Sequence, residues 1–409
     1  MSVELEWRFG NEPPEDSPQE GQPRRSPRWR TWLALGVTAL LLAGGGLYVW
    51  WRARGNALAA VEAEVQAVAE LEMRALVDGD VDLYLSLQDD ADPAWLSAQD
   101  ACMAREACLP PPLPGLSVTT AVSVAAVRVV ADTARAEVVR LAELAEGEVA
   151  PFRAVRFYRR SADGRWLHTG VDRSYTGHVL IFVGDWVEVT SFATDREWVA
   201  PIAFGLEELT EDFCRLVSCR QGTPMTLTFT DTLDAAVEPT GVLPAPFVVG
   251  VPGDEVAHAA WDAALRESFF NRLVARELGR PPGDVRSGEL FRARLREWLR
   301  AELGLREVLA PDIDLVSAAL DTAEWIPLGT VWTSVPPEGD ARRSLAEAEV
   351  DLFIAFVDEE YGPSAVADLF RTAHDADDLL ATVVWETLDE TWMVLEARYE
   401  TYIREERAR

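Results

Sequence analysis

The stretch FYRRSADGRWLHT, from Phe157 to Thr169, has the pattern of a β-hairpin. Its centre, Ser161-Ala162-Asp163-Gly164, consists of turn-forming residues, and aromatic and charged residues flank it on both sides. Upstream, residues 117–130 alternate and are rich in valine and threonine, and further strand patterns follow at 134–144 and 152–160. This order predicts an antiparallel sheet that ends with the hairpin.

Helical patterns precede these strands. Apolar residues recur every three or four positions from Leu58 to Ala75, with charged residues between them, which is typical of an amphipathic helix of about five turns. Helices that are followed by antiparallel strands indicate an α+β layer in which one sheet curls over the helix.

The order of these elements, with the closing hairpin, resembles the nuclear-transport-factor-2-like (SnoaL-like) cone fold over residues 57–172. The resemblance implies an apolar pocket, and some members use Asp and His in it for proton transfer. His168 lies on the last strand, so it is a candidate pocket residue. The alternative is a surface or hydrogen-bonded structural role, which is the commoner one for a lone histidine in a sheet.

A second domain is predicted for residues 173–405. The segments HVLIFVGD (178–185) and MTLTFTD (225–231) have strand patterns on either side of a helix at 201–217. A helical remainder follows, with helices expected near 254–278, 287–303, 343–359, 364–374 and 376–404. The pattern predicts a mostly helical domain with a small sheet.

This second order of elements, together with FVDEEYGP at 356–363, resembles a gluzincin-type (MA-clan) metallopeptidase domain. Such peptidases bind zinc through both histidines of HExxH, with the glutamate as general base. The corresponding positions here are Arg276, Glu277, Leu278, Gly279 and Arg280. A guanidinium has no lone pair to donate and repels a divalent cation, so we expect a degenerate motif without metal, cofactor or catalytic residue. Glu277 is expected to form a local salt bridge, the alternative being a residual base.

The segment TWLALGVTALLLAGGGLYVWW, residues 31–51, has no ionisable side chain and is long enough for a bilayer core of about 30 Å. Four arginines precede it, which predicts a single-pass transmembrane helix in contact with the lipid bilayer, a disordered cytoplasmic tail at 1–30 and an extracytoplasmic remainder in the cell membrane. The alternatives are a cleaved signal peptide and a buried core helix.

The cysteines and the net charge restrict location and partners. Cys102 and Cys108 are six positions apart and Cys214 and Cys219 five, so two short-range disulfides are expected in an oxidising compartment. Because a regular helix separates residues i and i+5 too widely for a disulfide, a helix must end or bend between Cys214 and Cys219.

Acidic residues outnumber basic ones by 69 to 38, and the formal net charge of -31 excludes nucleic acid as a partner.

Together these features predict a membrane-anchored, extracytoplasmic, non-catalytic protein that binds a peptide, protein or small ligand at the cell envelope. Two alternatives stay open. One is an active hydrolase that uses a displaced metal or the pocket of the cone domain, and the other is a structural component of the envelope.

Overall fold

The computed structural model describes residues 28–105, 108, 117–144, 147–219, 223–232, 241–278, 288–307, 311–322, 324–375 and 380–407. The chain is a mixed α+β protein with two small sheets. It divides after Val61 into two compact units, Met1–Val61 and Glu62–Arg409. All the sites described below lie in the second unit.

Three helices come first in the chain: α1 is Arg28–Asp78, α2 is Val81–Ser86 and α3 is Pro93–Ala104. The side chains of Asp80 and Asp92 accept backbone N–H bonds in the first turns of α2 and α3, so each of these helices begins at a capping residue. In the C-terminal part of α1, Val65, Ala69 and Met73 are buried at helical spacing.

The first sheet has the strand order β1-β2-β3-β4 and is antiparallel throughout. Its strands are β1 Ser117–Val130, β2 Thr133–Glu143, β3 Val149–Arg160 and β4 Trp166–Thr169. Strands β3 and β4 form the predicted hairpin, in which Tyr158 is the register partner of His168. The short strand β9, Val251–Pro252, pairs with β3 near Phe152.

The second sheet has the order β5-β6-β7-β8 and follows a short helix α4, Arg173–Thr176. Its strands are β5 Val179–Val183, β6 Val187–Phe192, β7 Met225–Thr230 and β8 Val242–Pro244. Strand β5 is antiparallel to β6, whereas β6, β7 and β8 are parallel. Helix α5, Arg196–Val217, connects β6 to β7 because parallel neighbours need a crossover.

The rest of the described chain is helical and packs around buried aromatic rings. The helices are α6 Pro246–Val249, α7 Glu255–Leu278, α8 Glu289–Glu302, α9 Ile313–Thr322, α10 Leu328–Thr333, α11 Ala341–Tyr361, α12 Pro363–Asp375, α13 Leu380–Leu388 and α14 Trp392–Glu406. Residues 380–404, expected within one helix, form two helices, because Asp389 adopts a positive φ of 52° between α13 and α14. Residues 376–379 of that expected helix lie outside the described residues.

The prediction of a transmembrane helix over residues 31–51 is wrong. Within the described part of the chain, no helix has the length and apolar character needed to cross a bilayer. The stretch belongs to the longer helix α1, and its glycines, which have no side chain to bury, contribute little to the free energy of transfer into hydrocarbon. The single-pass localisation that rested on this span is therefore wrong as well. Of the tail expected at 1–30, residues 1–27 lie outside the described residues.

Both predicted disulfides are confirmed. The Cα atoms of Cys102 and Cys108 are 5.0 Å apart, and those of Cys214 and Cys219 are 4.7 Å apart. Helix α5 ends at Val217, and Ser218 turns the chain through a left-handed conformation with φ 52°. The helix therefore ends between the two cysteines, as the spacing required.

Candidate functional site

The carboxylate of Glu72, on the buried face of α1, is the centre of a polar network inside the first sheet. Its side chain is completely buried. Arg156 Nη1 donates to Oε1 at 2.6 Å, and the Tyr158 hydroxyl donates to Oε2 at 3.1 Å. Gln88 Nε2 donates to Oε1 at 3.3 Å, and His168 Nδ1 lies 2.7 Å from the same oxygen. Four side chains thus converge on one carboxylate.

Backbone pairing places these side chains. Arg156 and Tyr158 are two residues apart on β3, and Tyr158 pairs with His168 on β4, so all three lie on one face of the sheet. The segment after α2 joins β4 at Gln88, where the His168 N–H donates to the Leu87 carbonyl at 2.8 Å.

The His168 imidazole is held on its other sides by Trp95 of α3. The Trp95 indole N–H donates to the backbone carbonyl of His168 at 3.1 Å. The two rings meet edge to face, with centroids 5.0 Å apart. The position and orientation of the imidazole are therefore fixed by contacts from α1, α3 and β3.

The electrostatics of the network keep Glu72 ionised. Burial alone raises the pKa of this carboxyl, but the charges of Arg156 and His168 and the hydrogen bonds outweigh burial and lower the pKa to about 2. Burial, reinforced by the charge of Glu72, raises the pKa of Tyr158 well above its ordinary value. Tyr158 therefore stays neutral and acts as a hydrogen-bond donor.

A cavity of about 180 Å³ adjoins the network. A water molecule occupies about 30 Å³ of liquid, so the cavity has room for about six waters, and apolar cavities of about 150 Å³ bind benzene. Its wall combines rings and aliphatic side chains with buried cations and one imidazole; the residues include Trp95, Ala98, Cys102, Cys108, Arg140, Val155, Arg156 and His168. A small organic molecule is the class of ligand that fits.

Arg140 is a second buried cation on the cavity wall. Its Nη1 donates to the Val249 carbonyl at 2.9 Å. Burial and then the charge of Arg156 lower the pKa of Arg140 to about 9.

Arg276 and Glu277, two positions of the predicted degenerate zinc motif, do not line this cavity. Arg276 Nε donates to Glu277 Oε1 at 2.8 Å, near the end of α7, which is the local salt bridge expected from the sequence. Gly279 and Arg280 lie outside the described residues. In the described ranges no group of three His, Cys, Asp or Glu side chains is arranged to hold a metal ion.

Of the residues singled out from sequence, His168 and the Cys102–Cys108 disulfide meet at the cavity. The Cys214–Cys219 disulfide and Glu277 do not line it. Sequence reasoning missed Glu72 and Arg156. Their spacing could have revealed them. Glu72 lies two helical turns after the buried Val65, seven residues later, and Arg156 lies on the same inward face of β3 as Tyr158.

Comparisons with known proteins give no relative: no family model, no curated protein and no solved structure matches this chain. The resemblances to the cone fold and to gluzincin peptidases therefore stay predictions from sequence.

Proposed function

We propose that this protein is a non-catalytic binding protein that holds a small organic ligand in the cavity beside His168. The observation that carries the proposal is the wall of that cavity. Apolar and aromatic surface from Trp95 and Val155 provides burial, and a few fixed polar groups provide orientation, which is the usual composition of a ligand site.

Two features support a non-catalytic role. Glu72 already accepts hydrogen bonds from Gln88, Arg156 and Tyr158, and its low pKa makes it a poor proton acceptor. In the region that resembles a peptidase, Glu277 is bound by Arg276 instead of facing a metal-bound water. Binding is the activity that both arrangements leave intact.

The two disulfides are consistent with an extracytoplasmic location, since such bonds persist in oxidising compartments. The excess of 31 negative charges keeps a protein soluble and separated from other acidic chains. We therefore place the proposed binding activity outside the cytoplasm.

The test is a thermal-shift screen of the full chain with neutral, anionic and cationic compounds of about ten non-hydrogen atoms or fewer. A ligand at 100 times its Kd adds about 3 kcal/mol of stability. Ala98→Leu places extra methyl groups in the cavity, and Ala101→Leu makes the same change on the exposed side of α3. We expect stabilising compounds to act on the wild type and on Ala101→Leu and to lose their effect on Ala98→Leu.

Compounds that stabilise all three proteins equally would place the ligand outside the cavity beside His168. A screen without any stabilising compound would favour the structural role. Either result overturns the proposal.

A second candidate function is proton transfer in the same cavity. It is favoured by one distance, the 2.7 Å between His168 Nδ1 and Glu72 Oε1. An imidazole whose Nδ1 faces a carboxylate presents Nε2 as the nitrogen that can exchange a proton with a bound compound. Under this alternative His168→Gln retains ligand binding but abolishes conversion of the bound compound, which mass spectrometry of the incubated hits would show.

A further inference from the structure

A second concavity, with a volume of about 530 Å³, lies along strands β1 to β4 and α4. Three arginines line it, Arg128 on β1, Arg135 on β2 and Arg159 on β3, and we call it the arginine groove. Its volume is within the range of about 300 to 1,000 Å³ that is typical of ligand pockets. In a chain with a net charge of -31, such a cluster of cations is unusual and calls for a physical reason.

Two of these arginines oppose each other directly. Arg128 and Arg135 are register partners in the β1–β2 ladder, so their Cβ atoms are about 5 Å apart. Like charges at such positions destabilise a sheet. An anion placed between the two guanidinium groups would convert this repulsion into attraction.

Two of the three arginines in the groove are held by neighbouring side chains before any ligand arrives. The Arg135 guanidinium lies over the Tyr175 ring, 4.7 Å from its centroid. Arg159 forms a salt bridge with Asp89 at 2.5 Å. Asp172, the one acidic residue among those that line the groove in the described structure, accepts the Ser174 N–H at 2.8 Å as the cap of α4. Little ordering of the Arg135 and Arg159 side chains therefore remains to be done on binding.

We propose that the arginine groove binds an organic phosphate, with the phosphoryl oxygens between Arg128 and Arg135. One guanidinium group donates two parallel hydrogen bonds, which is enough for the two oxygens of a carboxylate. A phosphate monoester has three terminal oxygens and can accept such pairs of hydrogen bonds from two guanidinium groups. The negative charge of the rest of the chain does not prevent this, because at physiological salt exposed charges are screened over about 8 Å. The groove and the cavity beside His168 share Phe157 and Thr169 in their walls, but the three arginines line only the groove.

The test is isothermal titration calorimetry of the full chain at about 0.15 M salt. The ligands are phenyl phosphate and, for comparison, benzoate, which carries a carboxylate on the same phenyl ring. Arg128→Gln and Arg135→Gln each remove one guanidinium group from the groove. Arg153→Gln, an exposed arginine on β3 that does not line the groove, is the matched control. Vesicles containing phosphatidic acid form a parallel arm, which separates a lipid headgroup from a soluble phosphate ester as the source.

We expect phenyl phosphate to bind more tightly than benzoate. Each of the two groove variants should weaken phenyl phosphate binding by about 10-fold or more, as the loss of a charge-assisted hydrogen bond requires, and Arg153→Gln should stay within about 2-fold. If the lipid is the ligand, the same dependence on Arg128 and Arg135 appears with the vesicles. Because Arg128→Gln also removes the repulsion, the ligand-free variant should melt at or above the wild-type temperature.

The proposal is overturned if neither phenyl phosphate nor the vesicles bind, if benzoate binds as tightly as phenyl phosphate, or if Arg128→Gln binds like the wild type. Arg128 is exposed, so this variant tests the proposal even if Arg135→Gln fails to fold.

Discussion

Glu349, in the middle of helix α11, is a buried carboxyl group that should lower the stability of the protein at neutral pH. Its side chain is fully buried, and Oε1 accepts the Ile326 N–H at 3.1 Å. Oε2 has no hydrogen-bond partner among the described residues. Burial, only partly offset by the Ile326 hydrogen bond and by Arg342, raises the pKa of Glu349 to about 8.

The sign and size of the effect follow from linkage. The folded chain keeps this proton up to about pH 8, whereas the unfolded chain releases it above its ordinary pKa of 4.5. Stability is therefore lost as the pH rises from about 4.5 to about 8, and at pH 7 the loss is about 3 kcal/mol, at about 1.4 kcal/mol per pH unit. Glu349→Gln mimics the protonated acid and does not titrate. We expect it to be about 3 kcal/mol more stable than the wild type at pH 7 and equal to it at pH 4.

The assay is urea unfolding followed by tryptophan fluorescence at pH 4, 5.5, 7 and 8.5, with the two proteins compared at each pH so that all other titrations cancel. Glu347→Gln is the control, because Glu347 lies on the same helix, is partly exposed and pairs with Arg343 at 2.6 Å. Its effect should stay below about 1 kcal/mol at every pH. A stability gain for Glu349→Gln that is the same at pH 4 and pH 7, or a loss at pH 7, would refute the reasoning.

Three further predictions concern other buried groups. Glu72→Gln leaves the Arg156 guanidinium buried without its anion, so urea unfolding at pH 7 should show that the free energy of unfolding falls by about 3 kcal/mol or more. Because the pKa of Glu72 in the folded chain is lowered to about 2, this advantage of the wild type should disappear as the pH falls from about 4.5 to about 2. Burial raises the pKa of Asp195 to about 7, so Asp195→Asn should gain up to about 4 kcal/mol at pH 8 and nothing at pH 3.5, and a gain that does not depend on pH would contradict this. Removal of the Cys102–Cys108 disulfide by a double serine substitution opens a short loop and should cost about 2 kcal/mol, measured by thermal melting against the wild type under oxidising conditions.

The parts of the fold that local sequence determines were predictable. The hairpin around residues 161–164 follows from turn residues between strand patterns, and the end of α5 follows from the spacing of Cys214 and Cys219. In each case the deciding residues lie within a few positions of one another, so no knowledge of tertiary contacts is needed.

The centre of the candidate site depends on contacts between distant parts of the chain. Hydrophobic periodicity treats a charged residue as outward-facing, so it predicts that Val65, Val68 and Leu71 define the buried face of α1. In the structure the buried face of α1 includes Ala69 and Glu72. The carboxylate of Glu72 can be buried because Arg156 pairs with it and offsets the cost of its desolvation, although Arg156 lies 84 positions later in the chain. A partner at that separation leaves no local pattern. The membrane prediction failed on a different ground, because it rested on the length and composition of residues 31–51 and on the arginines that precede them.

Three buried carboxyl groups show why the cavity beside His168 is the strongest candidate for function. Asp195 and Glu349 have no salt-bridge partner among the described residues, and burial raises their pKa values to about 7 and about 8. In the protonated form neither group can bind a cation or orient an imidazole. Glu72 is as deeply buried as Glu349, yet Arg156 and His168 keep it ionised. Of the three, only Glu72 maintains a fixed negative charge at neutral pH, and that charge holds His168 at the wall of a cavity large enough for a ligand. If Glu72→Gln left both the stability and the ligand binding of the protein unchanged, the negative charge of Glu72 would not be needed for the function proposed for the cavity.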